Sequence, residues 1–218
     1  VASAGSAAVI SVATMPGAGL TSLHGNLALT GTVSVTTAST LPVTGNVTVA
    51  AGTTLNINHN VTTTGTLTNA TTGVIATTAG TPTVTINGTA SMCGGNSGNC
   101  TFYDLTFGGA STTLGSNLTV THNLTLPATV TAGATTVTMN GVAGALVGAS
   151  ATLNNLTING TNSTTTLSTS GLTVSGILLI GGDAAANTDV LSLSSGLTLT
   201  ATGTTTITDA TDTISGAG

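Results

Sequence analysis

The chain has 218 residues and a formal charge of −5, carried by Asp104, Asp183, Asp189, Asp209 and Asp212, with no Lys, Arg or Glu. Nucleic-acid binding and polybasic membrane contact both need cationic side chains to meet phosphates, so both are excluded, and salt bridges contribute nothing to stability at neutral pH. Hydrophobic residues make up 39% of the chain, but the aromatics are only Phe102, Tyr103 and Phe107, so Val, Leu, Ile and Ala must build the core.

Thr and Val are stiff at χ1 and suit a pleated surface better than a helix, which predicts an all-β fold. A mean hydropathy of +0.51 argues against disorder. The length suits a single all-β domain over residues 1–218. Within it, Val1–Leu20 is uncharged, but serines, glycines and Pro16 dilute its apolarity below that of a membrane helix. Without a basic start or an initiator Met it is not an intact signal peptide, and residues 1–19 are read as an extended N-terminal segment of a trimmed product. A membrane barrel would need aromatic girdles that three clustered aromatics cannot supply.

From residue 25 onward one phrase recurs: Gly25-Asn-Leu-Ala-Leu, Gly45-Asn-Val-Thr-Val, His59-Asn-Val-Thr-Thr, Ser116-Asn-Leu-Thr-Val, His122-Asn-Leu-Thr-Leu, Asn154-Asn-Leu-Thr-Ile, Ser170-Gly-Leu-Thr-Val and Ser195-Gly-Leu-Thr-Leu. Each sets a turn residue before an apolar–polar–apolar alternation, a strand with one face to bury. Thr32-Val-Ser-Val, Thr83-Val-Thr-Ile, Thr136-Val-Thr-Met and Thr205-Thr-Ile add further strands. Spacing runs irregularly from six residues to about twenty-five, yet such strands bury their apolar face when successive coils stack, which predicts a parallel β-solenoid. The rival is an antiparallel β-sandwich, with hairpin turns at Asn87-Gly88, Asn140-Gly141 and Asn159-Gly160.

Cys93 and Cys100 bracket a Gly/Asn/Ser loop, the pattern of a disulfide made in an oxidising compartment; closing so short a loop is worth about 2–3 kcal/mol. After it, Phe102-Tyr-Asp-Leu-Thr-Phe107, Thr113-Leu-Gly-Ser-Asn-Leu-Thr-Val120 and Thr121-His-Asn-Leu-Thr-Leu126 resemble the β-strand repeats of large prokaryotic surface proteins, most clearly over residues 83–180. That resemblance implies a parallel β-solenoid on a cell surface, of adhesin or sheath type, and brings no catalytic residues.

Candidate chemistry is sparse. His24, His59 and His122 each occupy or precede a turn, where they replace Asn or Gly or, if stacked, form a metal-binding or pH-sensing column. Gly181 to Asp189 reads as a solvated turn, with a calcium loop as the alternative, and Asp209 and Asp212 flank a similar turn. No Glu is present to pair with Asp, no Gly-x-Ser-x-Gly elbow occurs, and no cation exists for lyase chemistry, so no enzyme, cofactor or metal is expected. Sequons at Asn46, Asn60, Asn69, Asn87, Asn99, Asn117, Asn123, Asn155, Asn159 and Asn162 permit N-linked glycans without indicating them, because Ser and Thr are abundant. Alternating threonines recur at Thr62–Thr68 and at Thr198, Thr200, Thr202, Thr204, Thr206 and Thr208, which in register would give a flat hydroxyl array of ice-binding type. The function expected is a self-assembling structural subunit of an extracellular filament, sheath or fibre, its uncapped coils stacking end to end; an adhesive or ice-binding solenoid is the alternative.

Overall fold

The structure, a computed structural model, describes residues 8–10, 26–30, 34–37, 40–88, 90–93, 100–182 and 187–216. His24, Asp183, Asn99 and most of the N-terminal segment lie outside the described residues; from that segment, Ala8–Ile10 forms a strand beside Leu27–Leu29. Among the described residues there is no helix, and every strand pairing is parallel. From Leu27–Leu29 onward, paired strands lie three apart along the chain, so the path winds as a three-sided β-solenoid of about eight turns. The sandwich is thereby overturned. Asn87, Asn140 and Asn159 form no hairpins: each follows a strand and donates its backbone N–H to a coil below, to Thr63, Val120 and Met139.

One turn shows the pattern. Leu27–Leu29 lies on the first face, Ser34–Thr36 on the second and Leu41–Val43 on the third, and Val47–Val49 then stacks on Leu27–Leu29. The third face is an unbroken nine-stranded sheet from Leu41–Val43 to Thr213–Gly216. On the second face, Ser34–Thr36, Thr54–Asn56 and Val74–Ala76 connect through one bridge, Ile75 to Cys100, to six further strands ending at Thr205–Ile207. Seven strands line the first face up to Thr129–Ala132, and Thr152–Leu153, Leu172–Val174 and Leu199–Ala201 continue it.

In-register stacking makes columns of the inward side chains. Leu41, Val61, Val84, Leu105, Leu124, Leu146 and Leu167 rise through the third face, all buried. Phe102, Val120, Met139, Ile158 and Ile180 rise through the second. Removing each such aliphatic side chain from water is worth about 1.5–3 kcal/mol. These columns belong to one continuous core.

The recurring phrase has a structural reading. Its Asn stands at a corner, the next residue points inward, Thr points outward and the last points inward again. At the corner the Asn side-chain oxygen accepts a backbone N–H from the coil above: Asn46 from Thr66 at 2.8 Å, Asn60 from Thr83 at 2.8 Å, Asn117 from Thr136 at 2.9 Å, Asn123 from Ala145 at 2.9 Å and Asn155 from Ile177 at 2.8 Å. These ladder steps span 20, 23, 19, 22 and 22 residues, so corners absorb varying coil length while strands keep register. The phrase serves all three faces, which is why its spacing looks irregular: Asn117 and Asn123 mark two neighbouring corners of one coil. Only the last copy slips, its Leu199 opening the strand Leu199–Ala201 rather than closing one. Where two coils touch backbone to backbone only Gly fits; a Cβ on Gly141 would lie 1.7 Å from the Thr121 carbonyl oxygen.

Candidate functional site

Two regions break the Thr-covered monotony of the surface. The first is the corner entering the third face. Strand register places His59, Pro82, Tyr103 and His122 one above another there, one ring per coil, each preceding the first corner residue of the strand. Backbone bonds tie this column together: Asp104 N–H donates to the Pro82 carbonyl at 3.2 Å and His122 N–H to the Tyr103 carbonyl at 3.0 Å. The Tyr103 and His122 rings stack with centroids 4.7 Å apart. Beside the rings runs a polar column, in which Asp104 takes the position that Asn60 and Asn123 hold elsewhere. Its carboxylate accepts the Asn123 N–H at 2.8 Å, as an Asn oxygen would, and also contacts His122 Nδ1 at 2.7 Å.

The imidazole tautomers depend on their partners. His59 Nδ1 lies 2.9 Å from the Thr37 carbonyl oxygen, an acceptor only, so Nδ1 carries the proton and Nε2 offers its lone pair. For His122 two partners compete, the Asp104 carboxylate and Asn123 Nδ2, which is 2.8 Å from the same Nδ1. The Asn123 oxygen is held by the Ala145 N–H, so its Nδ2 donor faces the ring and the two contacts call for opposite tautomers of His122. His59 alone has its tautomer fixed by its partner. At a coil rise of about 4.8 Å, His59 and His122 are roughly 14 Å apart and cannot share a metal. Thr40, Asn58, His59, Asn60, Thr81 and Pro82 line an open polar recess of about 220 Å³ at the lower end of this column.

The second region is the last described coil. Leu199–Ala201, Thr205–Ile207 and Thr213–Gly216 end their sheets, so each has one edge unpaired among the described residues. Ile207 continues the Phe102–Ile180 column and Ile214 stacks on Leu191, yet they are 46% and 38% exposed where Ile180 and Leu191 are fully buried. Inward-directed apolar groups are therefore left facing solvent.

The other candidates fall as follows. Cys93 and Cys100 have Cα atoms 6.0 Å apart with their sulfurs joined, within disulfide range. The pair is buried, and it closes the neck of the insertion between Ala90–Met92 and Thr101–Phe102. The Thr198–Thr208 run does not lie on one plane: Thr200 is on the first face, Thr206 on the second, and Thr202 and Thr204 fall between those strands. Flat columns arise instead between coils, as Thr62, Thr85, Thr106 and Thr125 on the third face and Thr101, Thr119, Thr138 and Thr157 on the second.

The solvated-turn reading fails for Asp189 and Asp212, which are 0% and 5% exposed. Asp189 Oδ1 accepts N–H groups from Gly160 and Ser163 and the Ser163 hydroxyl, and Asp212 accepts the N–H groups of Asp189 and Asp209. They staple the last three coils from inside the corner. No group of three metal-ligating side chains gathers among the described residues. Of the sequons, Asn46, Asn60, Asn117, Asn123, Asn155 and Asn162 serve as ladder acceptors through Oδ1, while Asn69 is buried and donates to the Gly73 carbonyl. Sequence reasoning found the turn position of these asparagines but not their ladder; an Asn before the first inward residue in most copies of the phrase was the available signal. No protein-family model, curated protein or solved structure matches the chain.

Proposed function

We propose that the chain is a non-enzymatic structural subunit of an extracellular filament, sheath or fibre that grows by end-to-end stacking of coils. Ile207 and Ile214, inward residues exposed on the last described coil, carry this reading. A further β-coil stacked there would cover those residues and pair the open edges in one step. Ala8–Ile10 and Leu199–Ala201 lie on the same face, and each has an edge unpaired among the described residues. Such a head-to-tail contact does not close on itself and propagates a fibre. Sparse charge leaves little repulsion to oppose it. The Cys93–Cys100 pair and the likeness to prokaryotic surface β-strand repeats support an exterior setting.

Electron microscopy of the purified 218-residue chain tests the idea. Expected are unbranched filaments with an axial repeat of roughly 40 Å, from about eight coils of ~4.8 Å each, absent in the Ile207→Asp/Ile214→Asp double variant. Dispersed monomers at every concentration would sink the reading and point to a continuing polypeptide as the cover.

The in-register Thr columns favour a second reading, an adhesive or ice-binding face. Thermal hysteresis lost on Thr106→Tyr or Thr138→Tyr is the signature of ice binding; no hysteresis in the parent chain removes that form of the reading.

A further inference from the structure

We propose that the Cys93–Cys100 disulfide is a redox lock on one seam of the solenoid, closed where thiols are oxidised and open where they are reduced. The seam divides the coil of Leu67–Asn69, Val74–Ala76 and Thr83–Ile86 from the next, Ala90–Met92, Thr101–Phe102 and Asp104–Phe107. Below it, first-face strands align residue for residue, Leu27–Leu29 with Val47–Val49 and Val47–Val49 with Leu67–Asn69. At the seam the register slips by two, so that Met92, the last residue of its strand, pairs with Leu67, the first of its own. An even slip keeps each side-chain set on its face, but it leaves one pair of residues where three would stand. Cys93 follows with φ 55°, out of the extended region, and the strand stops there. Thr68 and Asn69 therefore have no strand partner above them among the described residues.

The second face crosses the same seam through the Ile75–Cys100 bridge and two bonds beside it. Thr77 N–H donates to the Thr101 carbonyl at 3.0 Å, and Tyr103 N–H to the Thr77 hydroxyl at 3.2 Å. Only the third face crosses in full, with Thr83–Ile86 against Asp104–Phe107, so it serves as the hinge. The disulfide sits between the two thin faces. Cys100 continues the buried column of Leu55 and Ile75, and its sulfur lies 3.6 Å from Oδ1 of Asn69, the inward residue that the slipped strand leaves unpaired. The cross-link thus ties the end of the first-face strand to the start of the second-face strand, and each thin face is held through the other. With the thiols free, those strands are joined only through the intervening loop, and fixing its ends costs conformational entropy. Oxidation runs by exchange with a small disulfide such as oxidised glutathione. One cysteine thiolate attacks it and releases one glutathione thiol; the second attacks the protein sulfur of the mixed disulfide and releases the other. Two protein thiols are oxidised and one glutathione disulfide is reduced. Both cysteines are buried in the closed fold, so external thiols reach them only through an open corner, and the lock holds once made. The inference is independent of the filament reading.

Amide hydrogen exchange on the full chain decides it, comparing the oxidised protein with protein reduced in urea and refolded under dithiothreitol. Exchange at Thr77 and Tyr103 should be about tenfold or more faster in the reduced chain. Asn159 N–H, bonded to the Met139 carbonyl in the upper coils, should stay within about twofold, and Gly108 N–H, bonded to the Ile86 carbonyl on the hinge face, should move less than Thr77. A Cys93→Ala/Cys100→Ala double variant should reproduce the reduced pattern; where it fails to fold, the reduced parent chain decides. Dithiothreitol should reduce the native protein about a hundredfold more slowly than the urea-unfolded chain. Unchanged exchange at Thr77, loosening spread evenly to Asn159, or reduction as fast in the native as in the unfolded chain overturns the proposal.

Discussion

The coil through Thr101–Phe102 and the coil through Thr205–Ile207 follow the same three-sided path, yet Phe102 is completely buried and Ile207 is 46% exposed at equivalent positions of one column. Both strands set a large apolar residue at this position, although the terminal strand has Thr205 where the coil below has Leu178 at the neighbouring inward position. In a solenoid an inward residue is buried mainly by the coils above and below it, so Ile207, in the last described coil, has half the partners of Phe102. The two buried or half-buried acids differ in how their corner is closed, not in their place in the stack. Asp104, half-buried at a corner, has coils on both sides and substitutes for an Asn, whereas Asp189 is fully buried, its Oδ1 held by its donors and its Oδ2 without a hydrogen-bond partner among the described residues.

The sharpest break of that comparison is one substitution made twice in one column. Ile158→Ala, between two coils, should cost about 2–5 kcal/mol by chemical denaturation, and Ile207→Ala on the dispersed chain less than about 1 kcal/mol. Equal losses would mean that the terminal coil is covered after all. Next in size, Asp189→Ala strips the acceptor from three buried donors, and about 2–3 kcal/mol should be lost, with faster amide hydrogen exchange at Gly160 and Ser163. Unchanged exchange at those amides would show that the staple contributes nothing. The smallest effect belongs to the exposed ladder. Asn46→Ala should cost roughly 0.5–1.5 kcal/mol, because water replaces the lost acceptor for Thr66 N–H, and Asn46→Ser should recover little since its hydroxyl is too short to reach the next coil. A cost as large as that of Asp189→Ala would show that the corner is sealed.

Much of this architecture was legible. Thr/Val composition set the all-β class, and the phrase at Asn117 and Asn123 marked strands with one face to bury. The coil period was not legible, because the phrase marks corners and each coil has three. Nor was the site: His59, Pro82, Tyr103 and His122 are separated by about twenty residues each, and only parallel register at ~4.8 Å per coil brings them into one row. Asp189 and Asp212, set among small polar residues, gave no sign of burial, since their donors come from other coils.

By itself, then, the sequence determined the chemistry available: no Lys or Arg, an aliphatic core led by Leu and Val, an outward coat of Thr and a cysteine pair spaced for a loop. Alternation within three or four residues is a local property, and side-chain period follows directly from backbone pleat. Tertiary structure alone decided which residues meet, because every contact that distinguishes one part of this molecule from another runs between coils. That is why Ile207 lies open and Ile158 does not, and why four rings scattered along the chain form a single edge.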